Sequence, residues 1–196
     1  MNQVPAREEP RSVELPKDIG REEYRAWAER QPHGRFERIE REVVQVSPER
    51  IVHSLVKNLV WQALRRAVRE AGVPCQVLGD GITVEVGLNT DYEPDALVNC
   101  GDLPNLEAVV APNPVIVVEV VSPSSRASDT GVKLAGYLRV PSIQHYLIVC
   151  TASREVIHAA RQGDATTART LRSGLLTLDP PGITVPIEEF FEDLPS

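Results

Sequence analysis

Between Ser47 and Gly72 the apolar residues Val52, Leu55, Val56, Leu59, Val60, Ala63, Leu64, Ala67 and Val68 recur every three or four positions. That period lays one buried stripe along a long helix. Lys57, Arg65, Arg66, Arg69 and Glu70 fall off the stripe and read as its solvated side. Ser47 as cap, Pro48 at the first helical position and Glu49 in the first turn start this helix, and Gly72 ends it.

Downstream the pattern shortens to β-type runs at 76–78, 82–86, 95–98 and 115–121, separated by turn residues. The last run is apolar on both faces, which places it in the middle of a sheet covered on both sides. Alternation in 82–86 sets Ile82, Val84 and Val86 inward and Glu85 outward. Residues 124–139 read as a second helix capped by Ser124 or Ser125, with Leu134, Ala135 and Leu138 inward, and Pro141 stops it. A buried strand at 145–150 follows, then edge pieces at 155–160 and 183–185 and a helical turn at 188–191. Upstream, residues 20–30 read as a short helix, and Phe36, Ile39, Val43, Val44 and Val46 as a small hairpin or a strand leading into the core. Residues 1–17, with Pro5, Pro10 and Pro16 among charges, read as a flexible tail, leaving 18–196 as a single domain. The order predicts an α/β/α sandwich around a central mixed sheet, with an N-terminal helix/hairpin extension.

Composition adds bounds to this picture. With 196 residues, 42% hydrophobic and 25% charged, the chain has material for one sizeable core. It has neither an apolar run long enough for a membrane span nor a basic-then-apolar leader, so a soluble, cytoplasmic protein is expected. Cys75, Cys100 and Cys150 are scattered and odd in number, and read as three buried thiols rather than a disulfide or a zinc site. A net charge of −7 excludes affinity for nucleic acid through overall basicity, so any such contact is local or metal-assisted. Arg65, Arg66 and Arg69 make a basic patch that is either a solvated face or a phosphate contact. His145 and His158 lack a paired ligand at metal spacing and receive no function.

Glu119, inside the apolar run at 115–121, is the anomaly, because an ionised carboxylate is costly to bury without a compensating partner. Asp95 opens the preceding strand and supplies a second acid. Two acids brought together by neighbouring strands repel, and an oxygen-preferring divalent cation resolves that conflict. The bland alternative is that Asp95 caps a turn and Glu119 pairs with an Arg or Lys.

The segments EPDALV (93–98), VIVVEVVSPSS (115–125) and DTGVKLAGYLRVPSIQHYLIV (129–149) tip the balance. Pro94, Asp95, Glu119, Ser122, Pro123, Ser124, Asp129, Lys133, Tyr137 and Tyr146, together with Glu37, Glu42, Pro48 and His53 upstream, resemble the Uma-type family, described as putative restriction endonucleases. The resemblance runs from residue 20 to residue 192. It implies a restriction-endonuclease-like fold of the PD-(D/E)XK class and a Mg2+- or Mn2+-dependent hydrolase cutting DNA, with Asp95 and Glu119 as metal ligands. Where the Glu-x-Lys form of that signature has its lysine, this chain has Val121. The resemblance implies Lys133 as the catalytic lysine instead, oriented by Asp129. His53 is either catalytic or a partly buried hydrogen-bonded residue, and Glu42 either an extra metal ligand or a solvated hairpin acid. Tyr137 is either a packing residue with its hydroxyl near the site or a nucleophile. Cutting both strands calls for two sites, so a homodimer or higher oligomer is expected. The competing functional class is a catalytically inactive module of the same fold that binds nucleic acid or protein.

Overall fold

The computed structural model describes residues 14–46, 49–122, 129–192 and 194. The first half runs α1 (Arg21–Glu29), β1 (Arg35–Ile39), β2 (Glu42–Val46), α2 (Ile51–Ala71), β3 (Cys75–Gly79), β4 (Val84–Val86), β5 (Thr90–Tyr92) and β6 (Ala96–Cys100). The second half runs β7 (Pro114–Val121), a π-helical turn (Asp129–Lys133), α3 (Leu134–Tyr137), β8 (His145–Cys150), β9 (Glu155–Gln162), β10 (Ala165–Leu171), β11 (Leu175–Leu178), β12 (Ile183–Pro186) and a 3-10 helix (Ile187–Phe191).

Every residue of β7 is buried, as its doubly apolar sequence demands. Successive side chains face opposite sides of the sheet. Ile116, Val118 and Val120 therefore enter the core beneath α2, and Val117 and Val121 enter the core beneath α3. β7 sits inside a six-stranded mixed sheet of order β10-β9-β8-β7-β6-β3, parallel to β8 and antiparallel to β6. This is the mixed central sheet expected of the chain. A second sheet, β2-β1-β5-β4, carries the N-terminal extension, and Arg38, fully buried, ties it together. Its guanidinium donates to Asp91 Oδ2 (2.7 Å), the Leu88 carbonyl (2.9 Å) and the Ile19 carbonyl (3.3 Å), while Arg21 holds Asp91 Oδ1 at 2.7 Å.

α2 ends as expected, on Gly72 at φ 64, a left-handed position that suits glycine. Its start differs: Arg50 is the N-cap and makes no side-chain cap hydrogen bond, and Ser47 and Pro48 lie outside the described residues. Val56, Val60, Ala63, Leu64, Ala67 and Val68 are buried, but the expected stripe fades at its N-terminal end, where Val52 and Leu55 are exposed. Lys57, expected in solvent, is only 8% exposed. The burial of a charged residue follows from its three carboxylate partners, described below.

The expected helix over 124–139 is shorter among the described residues, and residues 123–128 lie outside them. Its buried positions are Gly136 and Tyr137, whereas Ala135 is exposed and Leu134 and Leu138 are half-buried. A π-turn inserts an extra residue per turn, which rotates the face that follows it. Leu15, in the stretch expected to be tail, packs with Ile19, Tyr24, Phe36 and Val43, and the Pro16 carbonyl accepts from Val43 N at 3.0 Å. β10, a run of exposed residues, escaped the apolar pattern altogether.

The cysteine expectation is overturned. Cys75 and Cys100 are bonded, with Cα atoms 4.0 Å apart, because antiparallel pairing of β3 and β6 sets them directly opposite each other. Cys150 is buried and outside that bond. Among the described residues no helix is long and apolar enough to cross a membrane.

Candidate active site

Asp95 immediately precedes β6 and is stitched to β7 by two bonds. Its amide donates to the Val118 carbonyl at 3.0 Å, and its Oδ2 accepts from Val120 N at 2.7 Å. The same antiparallel register thus fixes the Asp95 carboxylate against the residue next to Glu119. Glu119, by the odd-even alternation of β7, points to the α3 side and is 5% exposed. There its Oε1 accepts from the Tyr137 hydroxyl at 2.7 Å and from Lys133 Nζ at 3.0 Å. The same ammonium lies 3.0 Å from Oε1 of Glu37, a buried acid of β1 that also accepts from Glu93 N at 3.0 Å.

Tyr92 supports this side of the site. Its ring stacks edge-on to Tyr137 with centroids 5.2 Å apart, and Lys133 Nζ lies 5.5 Å from its centroid. The approach requires a glycine at position 136, since a Cβ there would stand 2.7 Å from Tyr92 Cε2.

The electrostatics follow from burial. Desolvation pushes the Glu119 carboxyl up to about 8; Lys133 and the Tyr137 hydroxyl oppose the rise, while Asp95 and Glu37 add to it. Burial, with Glu119 and Glu37 beside it, also drives the Tyr137 phenol far above its ordinary value, so it is a neutral donor.

On the α2 side, Lys57 Nζ contacts Glu49 Oε1 and Asp80 Oδ2 at 2.6 Å each and Asp95 Oδ1 at 3.0 Å. Burial alone would lower the pKa of this ammonium, but Asp95, Asp80 and Glu49 outweigh it and hold the pKa above the ordinary lysine value. His53, one helical turn earlier, bonds through Nε2 to the Val120 carbonyl, so Nε2 carries a proton, and it stands 3.8 Å from Asp95 Oδ2. A cleft of about 590 Å³ opens here, lined by Glu49, Lys57, Asp80 and Asp95 together with Arg50, Ser54, Asn58 and Trp61.

The fold therefore gathers Asp95, Glu119, Lys133, Tyr137 and His53. Glu42 does not join them: it is the exposed first residue of β2, opposite Ile39, and the hairpin acid that reaches the site is Glu37. The side chain of Asp129 lies outside the described residues. Lys57, Asp80 and Glu49 were not anticipated. Their one sequence signal is that Lys57 lies four residues after His53, on the same helix face. Glu85 is half-exposed and paired with Arg25, as alternation suggested. His145 and His158 bond to each other at 3.0 Å near the opposite end of β7, where His145 pairs with Ile116.

Among the described residues no group of three His, Cys, Asp or Glu side chains converges to hold a metal unaided. The donor chemistry nevertheless fits magnesium or manganese. These ions prefer oxygen, and magnesium is commonly bound by one or two carboxylates, with water and substrate phosphate completing the shell. Asp95 and Glu119 would supply that pair.

The model of a family called Uma2, described as a putative restriction endonuclease, matches residues 21–188. The chain belongs to the Uma2 family. An uncharacterised protein of Synechocystis is 26% identical to it over 186 residues, spanning 93% of this chain and 96% of that one. The crystal structure of a protein from Anabaena variabilis, titled a putative nuclease of the family DUF820, superposes with a TM-score of 0.69 at 17% identity. That match covers 88% of this chain and 97% of the other, and establishes a common restriction-endonuclease-like fold. Within this Uma2 chain, the acids cluster where β6 and β7 meet α2 and α3.

Proposed function

We propose that this Uma2 protein is a Mg2+- or Mn2+-dependent DNA endonuclease that hydrolyses phosphodiester bonds. Asp95 and Glu119 hold the ion, and Lys133 faces the reacting phosphate. The observation that carries the reading is the Lys133 ammonium at 3.0 Å from Glu119, delivered by the π-turn to a site whose strand has valine in the lysine position. A divalent ion held by Asp95 and Glu119 would supply Lewis acidity toward the phosphate and the attacking water. Lys133, braced between Glu37 and Glu119, presents positive charge where negative charge develops in the transition state. Tyr137 fixes the Glu119 carboxylate by donating to Oε1, and Val120 N fixes Asp95 through Oδ2. Glu119 ligates only when ionised, so loading the site releases a proton. Cutting both strands is best served by a two-fold pair of chains, for which light scattering should return about twice the 21.6 kDa of one chain.

One observation favours a second reading, a binding module without catalysis. Each acid already has a protein cation as its partner, Asp95 with Lys57 and Glu119 with Lys133, although both lysines are shared with other carboxylates. Plasmid nicking, with and without Mg2+ or Mn2+, separates the two. The nuclease reading expects metal-dependent nicking that Asp95→Asn and Glu119→Gln abolish while folding persists, and that Lys133→Ala abolishes while calorimetric metal binding persists. Nicking in EDTA, or full activity in any of these variants, would sink it.

A further inference from the structure

Lys57 takes no part in the chemistry proposed above, yet it is the more deeply enclosed of the two lysines, with 9% of its side chain exposed against 15% for Lys133. Its ammonium sits among three carboxylates drawn from three separate parts of the chain. Glu49 lies just ahead of α2, Asp80 follows β3, and Asp95 precedes β6; the contacts are 2.6, 2.6 and 3.0 Å. Two of its N–H groups donate, to Glu49 and Asp80, and Asp95 completes the cage as an ion pair. Arg35 adds charge at the same oxygens, with Nη1 at 3.0 Å from Glu49 Oε1 and 3.1 Å from Asp80 Oδ2. Without a cation in the middle, three carboxylates at this separation would repel one another.

With Lys57 between them these acids form no metal group of their own, but carboxylate oxygens are also the donors that a hard divalent ion prefers. Asp95 belongs to both arrangements. Its Oδ1 contacts Lys57, while Oδ2 is held on the β7 side by Val120 N, next to Glu119. In two-metal hydrolases a pair of ions flanks the reacting phosphate and stabilises both the attacking and the leaving oxygen. We infer that the Lys57 ammonium occupies the position of a second cation beside Asp95, so that this site accepts one divalent ion and not two.

An ammonium supplies a single positive charge and three N–H donors, and it cannot ligate or acidify a water. The charge of Lys57 is therefore spent on its own carboxylates, and the attacking water belongs to the Glu119 side. The count of one ion rests on the proposed nuclease reading, whereas the position of Lys57 is testable apart from it.

The test counts Mn2+ ions per full-length chain by calorimetry and by the spin-resonance signal of bound Mn2+, in wild type, Lys57→Met and Lys57→Arg. Lys57→Met should bind one ion more than wild type, Lys57→Arg should match wild type, and adding Asp80→Asn to Lys57→Met should remove the extra ion. Because Lys57→Met leaves three acids facing each other, its melting temperature in EDTA should fall, and Mn2+ should restore it, which keeps the test informative if the metal-free variant does not fold. Equal counts in wild type and Lys57→Met, failure of Mn2+ to restore that variant, or two ions in wild type would each overturn the inference. A wild type that binds no ion while Lys57→Met binds one would instead sink the metal site at Asp95 and Glu119 and leave Lys57 as the occupant of a cation position.

Discussion

Glu119 offers the sharpest test of the electrostatics. Its folded-state pKa, up to about 8 from an ordinary 4.5, means that the folded protein holds this proton more tightly than the unfolded chain does. The stabilisation that results is complete below 4.5 and is lost as pH rises through about 8. At about 1.4 kcal/mol per pKa unit, the gap sets a ceiling of roughly 5 kcal/mol, and local relaxation reduces the expected effect to a few kcal/mol. Gln in place of Glu119 keeps the shape and cannot ionise. In urea denaturation with EDTA present, wild type should lose a few kcal/mol relative to Glu119→Gln between acidic pH and pH above about 8. Taking the difference between the two proteins cancels the other titrations, including those of His145 and His158, whose pKa values burial lowers. Since ionising Glu119 releases one proton to the solvent, divalent-ion affinity in wild type should climb about tenfold per pH unit over the same window. Parallel stability curves for the two proteins would refute the buried, proton-retaining Glu119.

Two further perturbations probe the supports of the site. Asp91→Asn removes the charge that balances the fully buried Arg38, and should cost about 3–5 kcal/mol in urea unfolding; a loss below about 1 kcal/mol would mean that the two carbonyls on Arg38 suffice. Gly136→Ala drives a Cβ to 2.7 Å from Tyr92 Cε2, so despite alanine's better helix propensity it should destabilise by about 1–3 kcal/mol, and a higher melting temperature would contradict that packing.

The parts of the fold that were legible are those in which apolar pattern alone decides the structure. β7 and β8 are apolar on both faces and proved central; the Val56 to Val68 face of α2 proved buried. The parts that were not legible depend on pairing across the chain. The Cys75–Cys100 bond follows from the β3 to β6 register, which no local spacing encodes. β10 lacks an inward apolar face, with only Leu171 at its end against the core, and is recruited chiefly by its ladder to β9. In β1, Glu37 and Arg38 are both buried, so alternation could not tell which acid of the hairpin turns inward, and Glu42 looked as good a choice as Glu37.

The same reasoning explains why the site itself was half visible. A pattern rule scores lysine as solvent-facing because an isolated ammonium is costly to bury, and that cost disappears when carboxylates surround it. Asp95 and Glu119 stand out because an acid interrupts an apolar run; their lysines do not, because each sits on a helix among other polar residues. Pattern places Lys57 with the exposed arginines of α2 and sets the inward face of α3 at Leu134, Ala135 and Leu138, whereas the buried face bears Gly136 and Tyr137. A helix face turned toward a polar site carries lysine, tyrosine and glycine, which apolar counting reads as an outside surface. Position 121 shows the converse. Val121 faces the apolar core under α3, packed with Val117, Ile148 and Cys150, where an ammonium would find an apolar shell. The charge that the Glu-x-Lys pattern puts on the strand is here carried over the strand end by the π-turn, where Glu37 and Glu119 offer it two carboxylates at 3.0 Å.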